Sequence, residues 1–339
     1  MQNIPLQQID ALCRRHCAFA LYALPGGEIE FCMQKDGGIT PGSEGNGFLL
    51  AKYDEEPSII LRELQEIPHP HAYELLPAPT PATAETSRAD YHRNFEQYTA
   101  QLHGENALRK LVLARTEDIP AEDFSAAQAF ITLCHTAKNA FNCLFHTPQG
   151  GTWLCSTPEL LLRREGETWH TMALAGTRAG GTQPWDAKNL REHALVAEHI
   201  TTCLSPFADG IECDGPHTVT AGRMLEHLCT HIRFCMAAAQ LPALLKTLPP
   251  TPAVSGFPTE AARAFIRRHP DIKRSYYAGY LGPVSGQHTH LFVTLRCMQV
   301  FPSLCRLYAG GGLMPDSVEQ SEWTETTLKM QAMRSLILP

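Results

Sequence analysis

The sequence has no excess of positive charge, no membrane-length apolar run and no common metal or nucleotide motif. Its 28 lysines and arginines stand against 35 acidic residues, a net charge of −7, so we expect no nucleic-acid partner. No apolar run approaches the length that crosses a membrane, so we expect no membrane insertion. The sequence lacks the P-loop, the dinucleotide fingerprint, the nucleophile elbow and the HExxH pair. It therefore gives no support for the enzyme classes that these motifs mark.

The twelve cysteines do not form a disulfide or zinc pattern. No two of them have CxxC spacing, and the N-terminal residues MQNIPLQQIDALCRRH are too polar and charged for a secretory signal. We therefore expect reduced, mostly buried thiols in a cytoplasmic protein.

The order of the elements favours an α+β fold with large antiparallel sheets and outer helices. Clusters of strand-forming residues are interrupted by helical periodicity, without a regular βαβ order. The pattern predicts a sheet-rich segment without a chemical motif over residues 1–85. The segment PAPTPAT at 77–83 is the best candidate linker, because its three prolines exclude a helix or a central strand.

One stretch, GGGLMPDSVEQSEWTETTLK, combines a glycine triplet with a charged helix. We expect the triplet Gly310–Gly312 to form a backbone loop of bare glycines, and we expect Ser317 to cap the helix that follows. Glu322, Glu325 and Lys329 are spaced three and four residues apart, so they share one helical face. Such a face beside bare backbone amides could hold a hard cation and an anion. Alternatively, it is a solvated face with a Glu–Lys pair.

Two further residues suit acid–base chemistry. Lys110 opens an apolar strand, where desolvation lowers the pKa of an amine toward that of a base. Glu159 precedes the apolar run Leu160–Leu162, where burial would raise the pKa of a carboxyl toward that of a general acid. The structural alternatives are a lysine that reaches water at the strand end and an acid in a turn.

Other candidates would bind ions or substrate. Gly176 and Thr177 enter a glycine-rich turn whose amides could meet a carboxylate. Glu192 flanks the apolar stripe of a strong helix over 186–204, and with a glutamate from the C-terminal helix it could bind Mg²⁺. Arg296 lies in the middle of the predicted strand LFVTLRCMQVF, where its planar fork suits a carboxylate, and Tyr277 could add a hydroxyl.

Taken together, these segments resemble the chorismate-utilising enzymes, in blocks that follow one another from roughly residue 88 to the C-terminus. The matching blocks are KLVLAR (110–115), STPELLL (156–162), ALAGT (173–177), REHALVAEHI (191–200), PTPAVSGFP (250–258), RSYYAGYLG (274–282), TLRC (294–297) and AGGGLMPDSVEQSEWTETTLK (309–329). The resemblance implies two large antiparallel sheets packed on each other, with outer helices and an active site between the two halves. Residues 1–85 would be a variable N-terminal part of this fold, and residues 86–339 the chorismate-binding catalytic region.

The resemblance also implies a role for each matching residue. Lys110 would take a proton from the water that attacks C2 of chorismate, and Glu159 would protonate the departing C4 hydroxyl. Glu192 and Glu325 would bind Mg²⁺, with Glu322 next to the ion directly or through water. The residues expected to bind substrate are Gly176, Thr177, Tyr277, Arg296, Gly310, Gly311, Gly312 and Lys329.

Within the family, three details favour isochorismate synthase, an isomerase. Lys110 occupies the position that activates water in the water-using members. Ala175 stands where aminodeoxychorismate synthases commonly carry a lysine. The helix sequence HALVAEHI lacks the DLxRND-like segment of ammonia-using relatives. We therefore expect an enzyme that needs no glutaminase subunit. The resemblance also implies a monomer, and although no residue decides the pathway, we expect it to serve menaquinone biosynthesis.

Four alternatives stay open. A salicylate synthase would use the same residues and then eliminate pyruvate. An isochorismate synthase could serve siderophore biosynthesis instead, and an ammonia-using synthase would need a glutaminase partner. From another class, the chain could be a chorismate-binding protein without catalytic activity.

Overall fold

A computed structural model describes residues 5–64, 66–77, 81, 84–104, 107–181, 184–221 and 225–338. The β-strands are β1 (Phe19–Ala23), β2 (Ile29–Met33), β3 (Thr40–Pro41), β4 (Gly47–Ala51), β5 (Ser58–Leu61), β6 (Lys110–Pro120), β7 (Phe141–Thr147), β8 (Gly151–Thr157), β9 (Leu160–Glu165), β10 (Thr168–Ala179), β11 (Asp209–Ala221), β12 (Leu225–Cys235), β13 (Gly256–Phe257), β14 (Tyr280–Val284), β15 (His288–Val293), β16 (Cys297–Val300) and β17 (Leu304–Leu313). The α-helices are α1 (Leu6–Leu12), α2 (Arg88–Thr99), α3 (Ala126–Thr136), α4 (Ala187–Leu204), α5 (Leu241–Thr247), α6 (Thr259–Arg268) and α7 (Glu319–Arg334).

The strands form two antiparallel sheets. The first sheet has the order β13-β6-β17-β16-β8-β7-β1-β2, and the second has the order β11-β12-β10-β9-β15-β14-β4-β5-β3. Strands from residues 1–85 lie at one end of each sheet, β1 and β2 in the first and β3, β4 and β5 in the second. The N-terminal residues therefore extend both sheets.

A shared apolar core lies between the two sheets. Phe141 of the first sheet stacks on Phe292 of the second, with ring centroids 4.3 Å apart and planes 4° from parallel. Trp153 and Trp169, again one from each sheet, are fully buried in the same cluster. Burial of such large apolar side chains supplies most of the driving force that holds two sheets together.

Helices cover the outer faces of the sheets. α1, α3 and α7 pack on the first sheet through a second apolar cluster that includes Phe130 and Met330. Strand β7 is buried along its whole length, because the core covers one face and α3 covers the other. α4 packs on β10 and β12 of the second sheet, and its start is capped by Asp186, which accepts the Asn189 N–H at 2.7 Å.

The predicted α+β fold with two large antiparallel sheets and outer helices is confirmed. The segment TVTAGRMLEHLCTHIRF, whose pattern fits either a helix or a strand, belongs to β11 and β12 where it is described. The candidate linker at 77–83 lies largely outside the described residues, which include only Pro77 and Pro81 of that segment.

Three local expectations are wrong. Ser317 does not cap α7, which begins after Val318 without a side-chain cap; its hydroxyl instead accepts the Met314 N–H. The glycine triplet is not a loop but the end of β17, where it pairs with β6. Arg296 is not in the middle of a strand, because its positive φ of 46° separates β15 from β16.

Candidate active site

A cavity of about 60 Å³ is lined by residues from both sheets and from the helices α4 and α7. The predicted residues that line it are Glu159, Gly176, Thr177, Glu192, Tyr277, Arg296, Gly310, Gly312 and Lys329. The other predicted residues lie directly behind this wall: Lys110 contacts Glu192, Glu325 contacts Lys329, and Glu322 lies next to Gly311. The structure therefore brings the predicted set together.

Lys110 is fully buried and paired with Glu192. Its Nζ lies 2.9 Å from Glu192 Oε1, and its side chain has 0% exposure, which rules out a lysine that reaches water at the strand end. Gly312 makes this approach possible, because a Cβ at that position would overlap the Glu192 carboxylate and lie 2.7 Å from Lys110 Cε. The pair thus joins β6 to α4 across β17.

Glu159 is buried in the short connection between β8 and β9. Burial raises the pKa of its carboxyl to about 7, although Lys110, Lys329 and Arg296 nearby pull the pKa down. A carboxyl with a pKa near neutrality holds its proton for part of the time and can give it to a leaving group. This agrees with the sequence expectation that the apolar neighbours of Glu159 would raise its pKa.

Arg296 is held in place by a histidine that the sequence did not single out. The guanidinium Nη2 donates to Nε2 of His227 at 3.0 Å, and Nδ1 of His227 donates to the Gly176 carbonyl at 3.1 Å. Burial and the adjacent Arg296 lower the pKa of His227 to about 3, so the imidazole is neutral and can accept from Arg296. Burial also lowers the pKa of Arg296 to about 10, which leaves it charged at neutral pH.

The glycine triplet offers backbone amides to the cavity. Val112 and Ala114 of β6 donate their N–H groups to partners outside β17. The residues opposite them, Gly310 and Gly312, therefore form non-hydrogen-bonded pairs, and their own N–H groups point away from β6. β16 pairs with β17 only as far as Tyr308, so this edge of the triplet is open. Two amides, rather than three, are placed to meet an anion.

Lys329 links α7 to the same strand. Its Nζ lies 2.6 Å from Glu325 and donates to the Gly310 carbonyl at 2.9 Å. Burial acts against the ionised form of Glu325, yet Lys329 and the more distant Lys188 and Arg296 lower its pKa overall. Glu325 is thus a half-buried carboxylate that stays ionised.

Glu322 is the most buried of the three glutamates, with a side chain 2% exposed. Its Oε1 accepts hydrogen bonds from Lys188 Nζ and, at 2.7 Å, from the Ser317 hydroxyl. Its Oε2 is buried and has no hydrogen-bond partner in the part of the chain that the structure describes. Burial and the nearby Glu325 raise the pKa of Glu322, against the effect of Lys188.

The donor set fits a hard divalent cation. Across the described ranges, no three His, Cys, Asp or Glu side chains are close enough together to form a metal cluster, because each glutamate is turned toward a lysine. The set nevertheless consists of carboxylate oxygens only, and one of them, Glu322 Oε2, is buried without a partner. Mg²⁺ takes one or two protein carboxylates and keeps several waters, so these residues suit it without forming a closed cage.

Two residues of this site were not predicted from the sequence. His227 lies in the stretch whose pattern fits a helix or a strand, and only the pairing of β10 with β12 sets it opposite Thr177. Lys188 lies four residues before Glu192 on the same helix, a spacing that places both on one face and was an available signal.

The twelve cysteines are free thiols, seven of them buried. No helix within the described ranges combines the length and the apolar character that crossing a membrane requires. Neither fact bears on the chemistry of the cavity.

Comparison with known proteins places the chain in a family. The family model for chorismate binding enzymes matches residues 53–338. The chain is 39% identical to the salicylate biosynthesis isochorismate synthase of Pseudomonas aeruginosa over 67% of its own length, and 33% identical to the isochorismate synthase MenF of Escherichia coli over 69%. These matches span 50% and 57% of the two relatives.

A solved structure has the same fold. The menaquinone-specific isochorismate synthase MenF from Escherichia coli superimposes with a TM-score of 0.79 at 24% identity, over 99% of this chain and 92% of that one. The shared fold agrees with the two-sheet architecture described above. This chain belongs to the family of chorismate-binding enzymes.

Proposed function

We propose that this protein is an isochorismate synthase, which converts chorismate to isochorismate in the presence of Mg²⁺. The observation that carries the proposal is a buried lysine and a buried acid at one small cavity, with Ala175 in its wall. The relatives that are isochorismate synthases by name support it.

Lys110 and Glu159 divide the acid–base work. Lys110, once neutral, takes a proton from a water molecule as that water adds to C2 of the ring. The ring double bonds shift, the C4–O bond breaks, and Glu159 protonates the departing hydroxyl. One water is consumed and one is released, so the reaction is an isomerisation. Base and acid are both needed, since water is a poor nucleophile and hydroxide a poor leaving group.

The enolpyruvyl carboxylate of the substrate would bind to Arg296 and to the amides of Gly310 and Gly312. The guanidinium is half-buried and charged, and its orientation is fixed by His227, so little conformational freedom is lost when an anion binds. The Tyr277 hydroxyl lies over Gly310, where a Cβ would be 2.7 Å from it, and adds a donor on the same side. Lys329 and the turn at Gly176 and Thr177 would contact other substrate oxygens.

Glu192 and Glu325 would hold Mg²⁺, with Glu322 beside them directly or through water. When bound, the ion would neutralise the ring carboxylate and fix the ring between base and acid. The carboxylates that would hold it are already ordered by their lysine partners.

The water-using subtype follows from Ala175. Its methyl group lines the same cavity as Glu192 and Glu159, and a lysine in its place would fill part of that space. We place the protein in menaquinone biosynthesis, as a cytoplasmic monomer that needs no glutaminase subunit. The solved structure of a menaquinone-specific relative supports this assignment.

A product assay tests the proposal. Purified protein with chorismate and MgCl₂ should form isochorismate, and EDTA should stop the reaction. Lys110→Ala and Glu159→Gln should each lower kcat by roughly 10²–10⁴-fold. The matched controls are Lys246→Ala and Glu165→Gln, which change exposed residues of α5 and β9 and should leave kcat unchanged.

The products separate the alternatives. Salicylate and pyruvate would assign a salicylate synthase, and ammonia-dependent turnover would assign an ammonia-using synthase. Chorismate binding without any turnover would leave a non-catalytic binding protein. A deletion strain that lacks menaquinone, rather than a siderophore, would support the pathway; the reverse phenotype would overturn it.

A further inference from the structure

The charges around the proposed metal site are balanced in pairs. Among the described residues, three glutamates are each paired with a different lysine: Glu192 with Lys110, Glu325 with Lys329, and Glu322 with Lys188. Two of these lysines have a place in the proposed reaction or in substrate binding. Lys188 has none, although it is directed toward the same group of carboxylates.

The geometry around Lys188 is that of a fixed counter-charge. It lies in the first turn of α4, with a side chain 21% exposed, and reaches across to Glu322 on α7. The Ser317 hydroxyl donates to the same oxygen, Oε1, at 2.7 Å. The second oxygen, Oε2, is left buried without a partner in the described ranges and lies next to Gly311.

We propose that Lys188 sets the affinity of the site for divalent cations, by cancelling one carboxylate charge that would otherwise act on the ion. This rests on the proposed Mg²⁺ dependence. Lys188 therefore tunes the affinity for the metal ion and is not a catalytic residue. Its ammonium group stays within the field of all three glutamates and weakens their combined attraction for a cation.

The argument depends on charge rather than on orientation. Ser317 still donates to Glu322 when Lys188 is replaced, so the carboxylate keeps one of its two anchors. A neutral side chain at position 188 then raises the net negative charge of the site by one. Even with the strong screening of water, at a dielectric constant of about 80, a unit charge roughly 6 Å from a divalent ion changes the binding constant by roughly tenfold.

Calorimetric titration of MgCl₂ into the substrate-free protein tests this proposal. Lys188→Met and Lys188→Gln should bind Mg²⁺ roughly tenfold more tightly than the wild type, whereas Lys188→Arg should stay within about threefold of it. The glutamine variant keeps a donor to Glu322, which separates the charge from the hydrogen bond. Lys246→Met, on the exposed face of α5, is the control for loss of a distant positive charge.

Unchanged or weaker Mg²⁺ binding in both neutral variants would overturn the proposal and make Lys188 a merely structural residue. Circular dichroism verifies that each variant is folded, and if the methionine variant is not, the glutamine variant decides. A wild-type protein that binds no Mg²⁺ would refute the proposed metal dependence itself. Normal wild-type binding without tightening in the variants would refute only the assignment of Lys188.

Discussion

Replacing Glu159 by glutamine is expected to stabilise the folded protein at alkaline pH. The carboxyl is buried, and its pKa rises from 4.5 to about 7. Because the folded-state pKa lies above the unfolded one, Glu159 favours folding fully only below the unfolded pKa, and this contribution is lost as the pH rises through about 7. Glutamine resembles the protonated carboxyl at every pH, so the variant escapes this loss.

The magnitude follows from the pKa. A rise from 4.5 to about 7 corresponds to about 3 kcal/mol of preference for the protonated form. At about pH 8 the Glu159 carboxyl is ionised in both the folded and the unfolded state, so the variant should be more stable than the wild type by about 3 kcal/mol. At about pH 5 the carboxyl is only partly ionised in the unfolded state, and the stability difference between the variant and the wild type should shrink to about 1 kcal/mol.

Urea unfolding at the two pH values measures the difference, with Glu165→Gln on the exposed part of β9 as the matched control. The control should show no pH-dependent gain. Equal or lower stability of Glu159→Gln at the higher pH would show that the carboxyl is not desolvated, and the general-acid assignment would lose its physical basis. The gain in stability should accompany the loss of turnover, because both arise from the same buried proton.

Two further predictions concern the walls of the cavity. His227→Phe removes the acceptor that holds Arg296, so the KM for chorismate should rise by roughly tenfold or more. Steady-state kinetics measures this, and an unchanged KM would exclude the positioning role. Gly312→Ala places a Cβ into the Glu192 carboxylate, so kcat should fall by roughly 10²-fold in the product assay. Gly286→Ala, where a Cβ meets nothing within 4 Å, is its control and should keep wild-type activity.

The sequence predicted which residues lie close together more accurately than it predicted their backbone conformation. Glu325 and Lys329 are one helical turn apart, so their contact follows from spacing alone. The burial of Glu159 followed from the apolar residues beside it. The prediction that these residues form one site rested on the family resemblance, because no local sequence pattern indicates which strands become neighbours.

The errors arose where distant backbone groups decide the local conformation. LFVTLRCMQVF has the composition of one strand, yet it is interrupted at Arg296. There, the Arg296 carbonyl accepts the Ser156 N–H, while Thr294 donates to the Gly279 carbonyl. Neither partner is near in sequence, so a residue with φ of 46° could not be expected. Ser317 does not cap α7 for a different reason: its hydroxyl is engaged by two near neighbours, since it donates to the Glu322 carboxylate and accepts the Met314 N–H.

The glycine triplet explains why the site can be so crowded with charge. Three consecutive glycines weaken a strand, so they are expected mainly where another group must approach the backbone closely. Side chains alternate along β17, so Gly310 and Gly312 face one side and Gly311 the other. On the first side lie Tyr277, Glu192 and Lys110, and on the second lies Glu322. Each of these side chains occupies space that a Cβ would fill. Backbone without side chains is thus what lets a base, an anion-binding group and the proposed metal-binding carboxylates meet around one strand.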